Sequence, residues 1–211
     1  MNIDDKIKQG RQYRNCVEFR ALEVEDENDK KCSVEGYATT FNDTYVLWSD
    51  DQYEVREQID KEAFNNCDMS DVIFQYNHEG RVFARISNNT LSLSVDENGL
   101  KVRADLGGTE EGRKLYEEIK GGYTTKMSFG FTVGNDVRTE AKQDSKIVIT
   151  RTITAINKLY DVSAVSIPAN DGTEISARSY CDGLIAEAQA ECLKREKQKQ
   201  KIRIMKEGIL L

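Results

Sequence analysis

The sequence predicts a mainly β chain with a few helices, an α+β fold arranged as a closed or nearly closed β-barrel of short strands flanked by helices. Three observations lead there. From Val17 to Pro168 the chain runs as short alternating segments separated by glycine, asparagine and aspartate. Within that body only Thr109 to Gly121 carries clear helical periodicity. Helices do not alternate with strands, which argues against a doubly wound α/β sheet.

The elements follow in order. Residues 1–15 are polar and aperiodic and read as a flexible lead-in. VEFRALEV (17–24) and CSVEGYATTF (32–41) flank an acidic turn and can pair as a hairpin. YEVREQI (53–59) is a further short strand, after which Asp60 can cap a helical turn, DKEAF. VIFQYNH (72–78) alternates, with Val72, Phe74, Tyr76 and His78 on one face. RVFARISN, TLSLSVDE and LKVRADL continue the series, and Asn98-Gly99 signals a two-residue type I′ turn.

Thr109 suits an N-cap, Glu110 and Glu111 suit the first turn, and Leu115, Tyr116 and Ile119 form the apolar stripe of a helix ended by Gly121-Gly122. TTKMSFGFTV (124–133) is a strand, residues 134–145 read as a polar loop, and KIVITRTITAI and LYDVSAVSIP follow as two strands ending at Pro168, the only proline. Beyond about residue 180 strong helix formers dominate. Asp182 can cap this segment, and Leu184, Ala188 and Cys192 share a thin face. The expected organisation is a lead-in over 1–15, one folded domain over 16–179, and a helical or partly disordered charged tail over 180–211.

Composition narrows the function classes. A hydrophobic fraction of 38% with 32% charged residues describes a water-soluble globular chain. No apolar run has the length of a membrane span, and residues 1–15 lack the apolar core of a secretory signal, so a cytosolic location is expected. Cys16, Cys32, Cys67, Cys181 and Cys192 are scattered without a C-x-x-C pair, which speaks for reduced thiols rather than a disulfide framework or zinc knuckle. A net charge of −7 argues against general nucleic-acid binding, although 194–206 is a basic run and 23–29 an acidic one. Phosphate-binding, dinucleotide-binding, zinc-protease and G-x-S-x-G motifs are absent, and Gly107-Gly108-Thr109 is explained by a loop entering a helix. No cofactor or metal is expected.

Chemistry then rests on few residues. His78 is the only histidine and stands at a strand end before Gly80. In Met127–Val133 the large residues Met127, Phe129, Phe131 and Val133 share one face, leaving Ser128, Gly130 and Thr132 on the other. A serine becomes nucleophilic only when a base takes its proton, and an imidazole base needs a third group to fix its tautomer. Pattern alone leaves structural roles open for both residues.

An ordered set of segments resembles the prohead proteases of tailed phages. It comprises Val34-Glu35-Gly36-Tyr37-Ala38 with Phe41, Ala63-Phe64, Asn77-His78, Asn98-Gly99-Leu100, the helix before Gly121-Gly122, Ser128-Phe129-Gly130-Phe131, Asp161–Val165 and Pro168-Ala169-Asn170. The resemblance spans roughly residues 17–178. It implies a fold similar to the herpesvirus capsid-assembly proteases and a serine endopeptidase with His78 as general base, Ser128 as nucleophile and Asp161 as the orienting acid. On LYDVSAVSI, Asp161 shares a face with Leu159, Ser163 and Val165; Glu79 is the alternative orienter. The implied partners are the scaffold segment of the phage major capsid protein, other prohead components and the protease itself, with a homo-oligomer allowed and neither membrane nor specific nucleic acid required. The implied location is the host cytoplasm, inside assembling proheads. Lys61-Glu62 and Arg81–Arg85 depart from the family pattern. Two other readings stand beside this one: a non-catalytic capsid assembly or scaffolding protein of the same fold, and a cysteine hydrolase using Cys67.

Overall fold

The computed structural model describes residues 10–21, 32–166 and 171–208. Residues 1–9, the acidic run 23–29 and Pro168 lie outside them. The elements are β1 (Gln12–Ala21), β2 (Ser33–Thr40), β3 (Tyr45–Ser49), β4 (Tyr53–Ile59), β5 (Ile73–Tyr76), β6 (Glu79–Arg85), a 3₁₀ turn (Ile86–Asn88), β7 (Leu91–Val95), β8 (Gly99–Asp105), α1 (Glu110–Lys120), β9 (Lys126–Gln143), β10 (Lys146–Val165) and α2 (Asp171–Gly208). The mainly β, α+β class is as expected. The hairpin of the first two strands forms, with Phe19–Ala21 antiparallel to Val34–Gly36.

The expected barrel does not close. The strand order is β3-β4-β10-β9-β1-β2-β8-β7, with β5 added to β10 and β6 added to β5. β3 and β7 are the ends of this open path. The reason is strand length: β9 has 18 residues and β10 has 20, so these are not short strands. β10 is long enough to serve two parallel neighbours. Ile147–Ile153 pairs with β4, and Asp161–Ala164 pairs with β5, so the sheet branches there instead of curling shut.

The same length corrects the expected loop over 134–145. Residues 134–143 continue β9 as a largely exposed strand, and Asp144-Ser145 alone makes the turn, with Asp144 at φ 52°. A solvated strand has no buried face and therefore no alternation to read. The Asn98-Gly99 turn also differs. Neither residue has positive φ; Asp96 Oδ1 instead accepts the Asn98 and Gly99 N–H groups across a four-residue loop. Glycine is still required at 99, because a Cβ there would meet the Thr39 carbonyl oxygen at 2.0 Å.

The main core lies between the sheet and α1. Thr109 Oγ1 accepts the Gly112 N–H at 3.0 Å, and Leu115, Tyr116 and Ile119 are buried, as the sequence predicts. They join Phe129, Phe131, Leu159, Val162 and Ala164 in one cluster. A second, smaller cluster holds α2, which runs unbroken from Asp171, so Asp182 is interior and not a cap. Cys181, Leu184 and Ala188 pack against Val55 and Ile149, whereas Cys192, expected on this face, is exposed.

β1 begins at Gln12, inside the segment expected to be a loose lead-in, and lies between β9 and β2. A buried ion cluster fixes it. Glu57 on β4 is fully buried and receives hydrogen bonds from Arg14, from Arg151 at 2.8 Å and from Tyr45. Gln12 Oε1 accepts from both guanidinium groups, at 2.9 and 3.0 Å.

Candidate active site

Three neighbouring strands build the floor of the site. On β9, Met127, Phe129 and Phe131 enter the core, which turns Ser128 and Gly130 to the opposite face. Antiparallel register then sets Ser163 of β10 beside Ser128 and Asp161 beside Gly130. From the other side, β1 sets Tyr13 beside Gly130.

The placement of Asp161 depends on an irregularity. The β9–β10 register shifts between Leu159 and Asp161, leaving Tyr160 as an extra residue. Leu159 packs in the core with Val162 and Ala164, so Leu159 and Asp161 face opposite ways. The expected shared face of these two residues is therefore corrected. Without the bulge, the alternation that buries Leu159 would bury Asp161 in the hydrophobic core.

His78 reaches the site by a turn rather than by strand alternation. β5 ends at Tyr76, and Tyr76 pairs with Glu79 across Asn77-His78, both at positive φ of 50° and 60°. This is the type I′ pattern. The left-handed region costs a non-glycine residue about 1–2 kcal/mol. The turn is pinned to β10 by the Asn77 N–H donating to the Ala164 carbonyl at 2.9 Å and by Asn77 Oδ1 accepting the Ser166 N–H at 3.1 Å.

These elements bring all three predicted residues together. His78 Nε2 lies 2.6 Å from Ser128 Oγ, and His78 Nδ1 hydrogen-bonds Asp161 Oδ1. Asp161 Oδ1 also accepts from Ser163 Oγ at 3.2 Å. With Nδ1–H donated to the carboxylate, Nε2 is the acceptor and the Ser128 hydroxyl donates to it. Exposure is 2% for His78, 0% for Ser128 and 1% for Asp161, so these polar groups face one another in a low-dielectric setting where each interaction is strengthened. The arrangement can move the Ser128 proton to the imidazole and stabilise the resulting cation.

The competing residues do not assemble this way. Glu79, the other candidate orienter, is exposed at the start of β6. Burial pushes the Cys67 thiol up to about 11, which keeps it protonated at neutral pH. Ser163 was visible in the sequence only as a residue sharing a face with Asp161. Tyr13 gave no signal, because its approach to the site depends on non-local strand pairing.

A family model described as caudovirus prohead serine protease matches residues 17–184. Among solved structures, the bacteriophage T4 capsid assembly protease gp21 is similar at 14% identity, covering 75% of this chain and 99% of that chain with a TM-score of 0.39, too low to carry a structural argument. No curated protein matches the chain. The ordered segments that resemble the prohead proteases thus agree with an independent match over most of the chain, and the chain belongs to the caudovirus prohead serine protease family.

Proposed function

We propose that the chain is a serine endopeptidase that cleaves the scaffold segment of the phage major capsid protein, and itself, during prohead maturation. The observation that carries this reading is the buried Ser128–His78–Asp161 relay, with its 2.6 Å serine–imidazole contact. Ser128 Oγ attacks a peptide carbonyl while His78 Nε2 takes its proton. The imidazolium, held by Asp161, then protonates the leaving amine, and water attacks the acyl-enzyme with His78 again as base. Because Ser128 and His78 are both covered in this conformation, a peptide reaches them only when the site opens locally.

Self-cleavage fits the exposed stretch of α2 over residues 190–203, since accessible segments are the easiest to cut. Trimming at the other end is confined to residues before Gln12, where β1 enters the sheet. Cleavage takes place inside assembling proheads in the host cytoplasm. Among the described residues no helix is long and apolar enough to cross a membrane.

Co-expression with the major capsid protein, followed by mass spectrometry, tests the reading. The wild-type chain should yield truncated capsid protein and shortened protease, and Ser128→Ala should yield neither. Identical fragments from both would instead favour a non-catalytic assembly protein of the same fold.

Gly130 offers a second test. A Cβ at this position would lie 2.5 Å from Asp161 Oδ2 and 2.6 Å from Tyr13 Cε1, so one of them must move. Displacing an orienting group by about 1 Å can cost about 10²-fold in rate, and Gly130→Ala should lower kcat by that order. Steady-state cleavage of a peptide spanning the capsid site measures it, and an unchanged kcat would show that the carboxylate need not stay where it is.

A further inference from the structure

Tyr13 lies outside the residues matched by the family model yet against the centre of the site. Its ring centroid is 4.4 Å from that of His78, with the planes tilted by 60°, and the residue is 4% exposed. Tyr13 Cε1 and Asp161 Oδ2 both crowd the space above Gly130. Asp161 Oδ2 is buried and, among the described residues, has no hydrogen-bond partner, whereas the Tyr13 hydroxyl lies toward Arg11.

We propose that Tyr13 is a positioning residue for the His78–Asp161 pair: its ring holds the imidazole over Ser128 and shields Asp161 Oδ2 from water. The inference rests on the proposed peptidase reading, because a positioning role matters only if His78 transfers a proton.

The physical argument has two parts. His78 sits in a two-residue turn, and Asp161 and Ser128 hold the imidazole through its two nitrogens. A ring packed against the imidazole limits its lateral movement, and a tyrosine ring has few torsions to lose in doing so. In addition, burial of the Asp161 carboxylate places it in a low dielectric, where the bond from His78 Nδ1 gains strength. The charged and titratable groups around the pair are Asp161 itself on β10, Arg11 leading into β1, and Glu79 on β6. Burial, and then the charge of Asp161, hold the Tyr13 phenol above its ordinary range, so the ring stays neutral. Tyr13 meets His78 and the space above Gly130 through its ring, so the ring and not the hydroxyl carries the role.

Because His78 is the only histidine, ¹⁵N-histidine NMR reports this imidazole without assignment. In the wild-type chain the Nδ1–H proton should be visible and slow to exchange with water. Tyr13→Phe should keep both that protection and kcat. Tyr13→Leu and Tyr13→Ala should lose the protected signal and lower kcat about 10–100-fold with KM within about twofold. Three results would overturn the inference: wild-type exchange as fast as free imidazole, a Tyr13→Leu protein that keeps both protection and kcat, or a Tyr13→Phe protein as impaired as the leucine variant. If the leucine and alanine variants do not fold, as judged by circular dichroism, the wild-type exchange rate and the phenylalanine variant decide. Ser128→Ala separates the two levels. Its continued cleavage would remove the peptidase reading, while the exchange measurement would still judge Tyr13.

Discussion

Ser128→Ala and His78→Ala should each lower kcat for peptide cleavage by about 10⁴-fold or more, and the double variant should be no worse than either single one. The non-additivity is the sharper half of this expectation. A serine hydroxyl without a base is a poor nucleophile, and a base without the serine has no proton to take, so the two groups act as one unit. Asp161→Asn should cost about 10³–10⁴-fold in kcat, since an amide can present its N–H to Nδ1 and select the wrong tautomer. Each loss should leave thermal unfolding within a few degrees for Ser128→Ala, which removes one buried oxygen. The carboxamide variant keeps volume and shape, so its folding should also survive. Single-turnover cleavage of a capsid-site peptide, with all four variants purified in parallel, is the measurement. Full activity in Ser128→Ala would end the serine mechanism, and additive losses would mean the residues do not work together.

Glu57→Ala should lower stability by about 3–5 kcal/mol, because it leaves the Arg14 guanidinium buried without its anion and Arg151 with Asp136 alone. Burial by itself would raise the Glu57 carboxyl, but the charge and hydrogen bonds of Arg14, then Arg151 and Tyr45, reverse this and hold it below the usual carboxylate range. The sign of the pH dependence follows. A depressed folded-state value contributes stability that is complete above the unfolded carboxyl range, near pH 4–5, and is lost as pH falls through the folded value. Urea unfolding at pH 7 and again below pH 4 should therefore show a large gap between wild type and variant that narrows in acid. A gap independent of pH would show that packing, not charge, sets the loss. Since Arg14 is adjacent to Tyr13 on β1, the variant should also loosen the strand that covers His78.

Much of the fold was legible because local rules wrote it. α1 carries its cap, its acidic first turn and its buried stripe within a dozen residues, and the structure reproduces each. β4 coincides with the alternating run at 53–59. The outer half of β9 was not legible, since an exposed strand looks like a loop, and the branching of β10 depends on two partners distant in sequence. The long α2 begins at Asp171, before the expected start near residue 180; Asp171-Gly172-Thr173-Glu174 carries the D-x-x-E pattern of a helix start.

The site divides the same way. The sequence by itself determined which side chains are available: one histidine, a serine on the small-residue face of its strand, and an aspartate near the end of another. Residue identity and period-two alternation are local properties, and they survive in any fold. Only the tertiary structure decided that the three meet. A bulge at Tyr160 turns Asp161 away from Leu159, a left-handed turn at Asn77-His78 aims the imidazole, and the pairing of β1 with β9 brings Tyr13 beside Gly130. These depend on register between strands far apart in the chain, where a shift of one residue reverses every face.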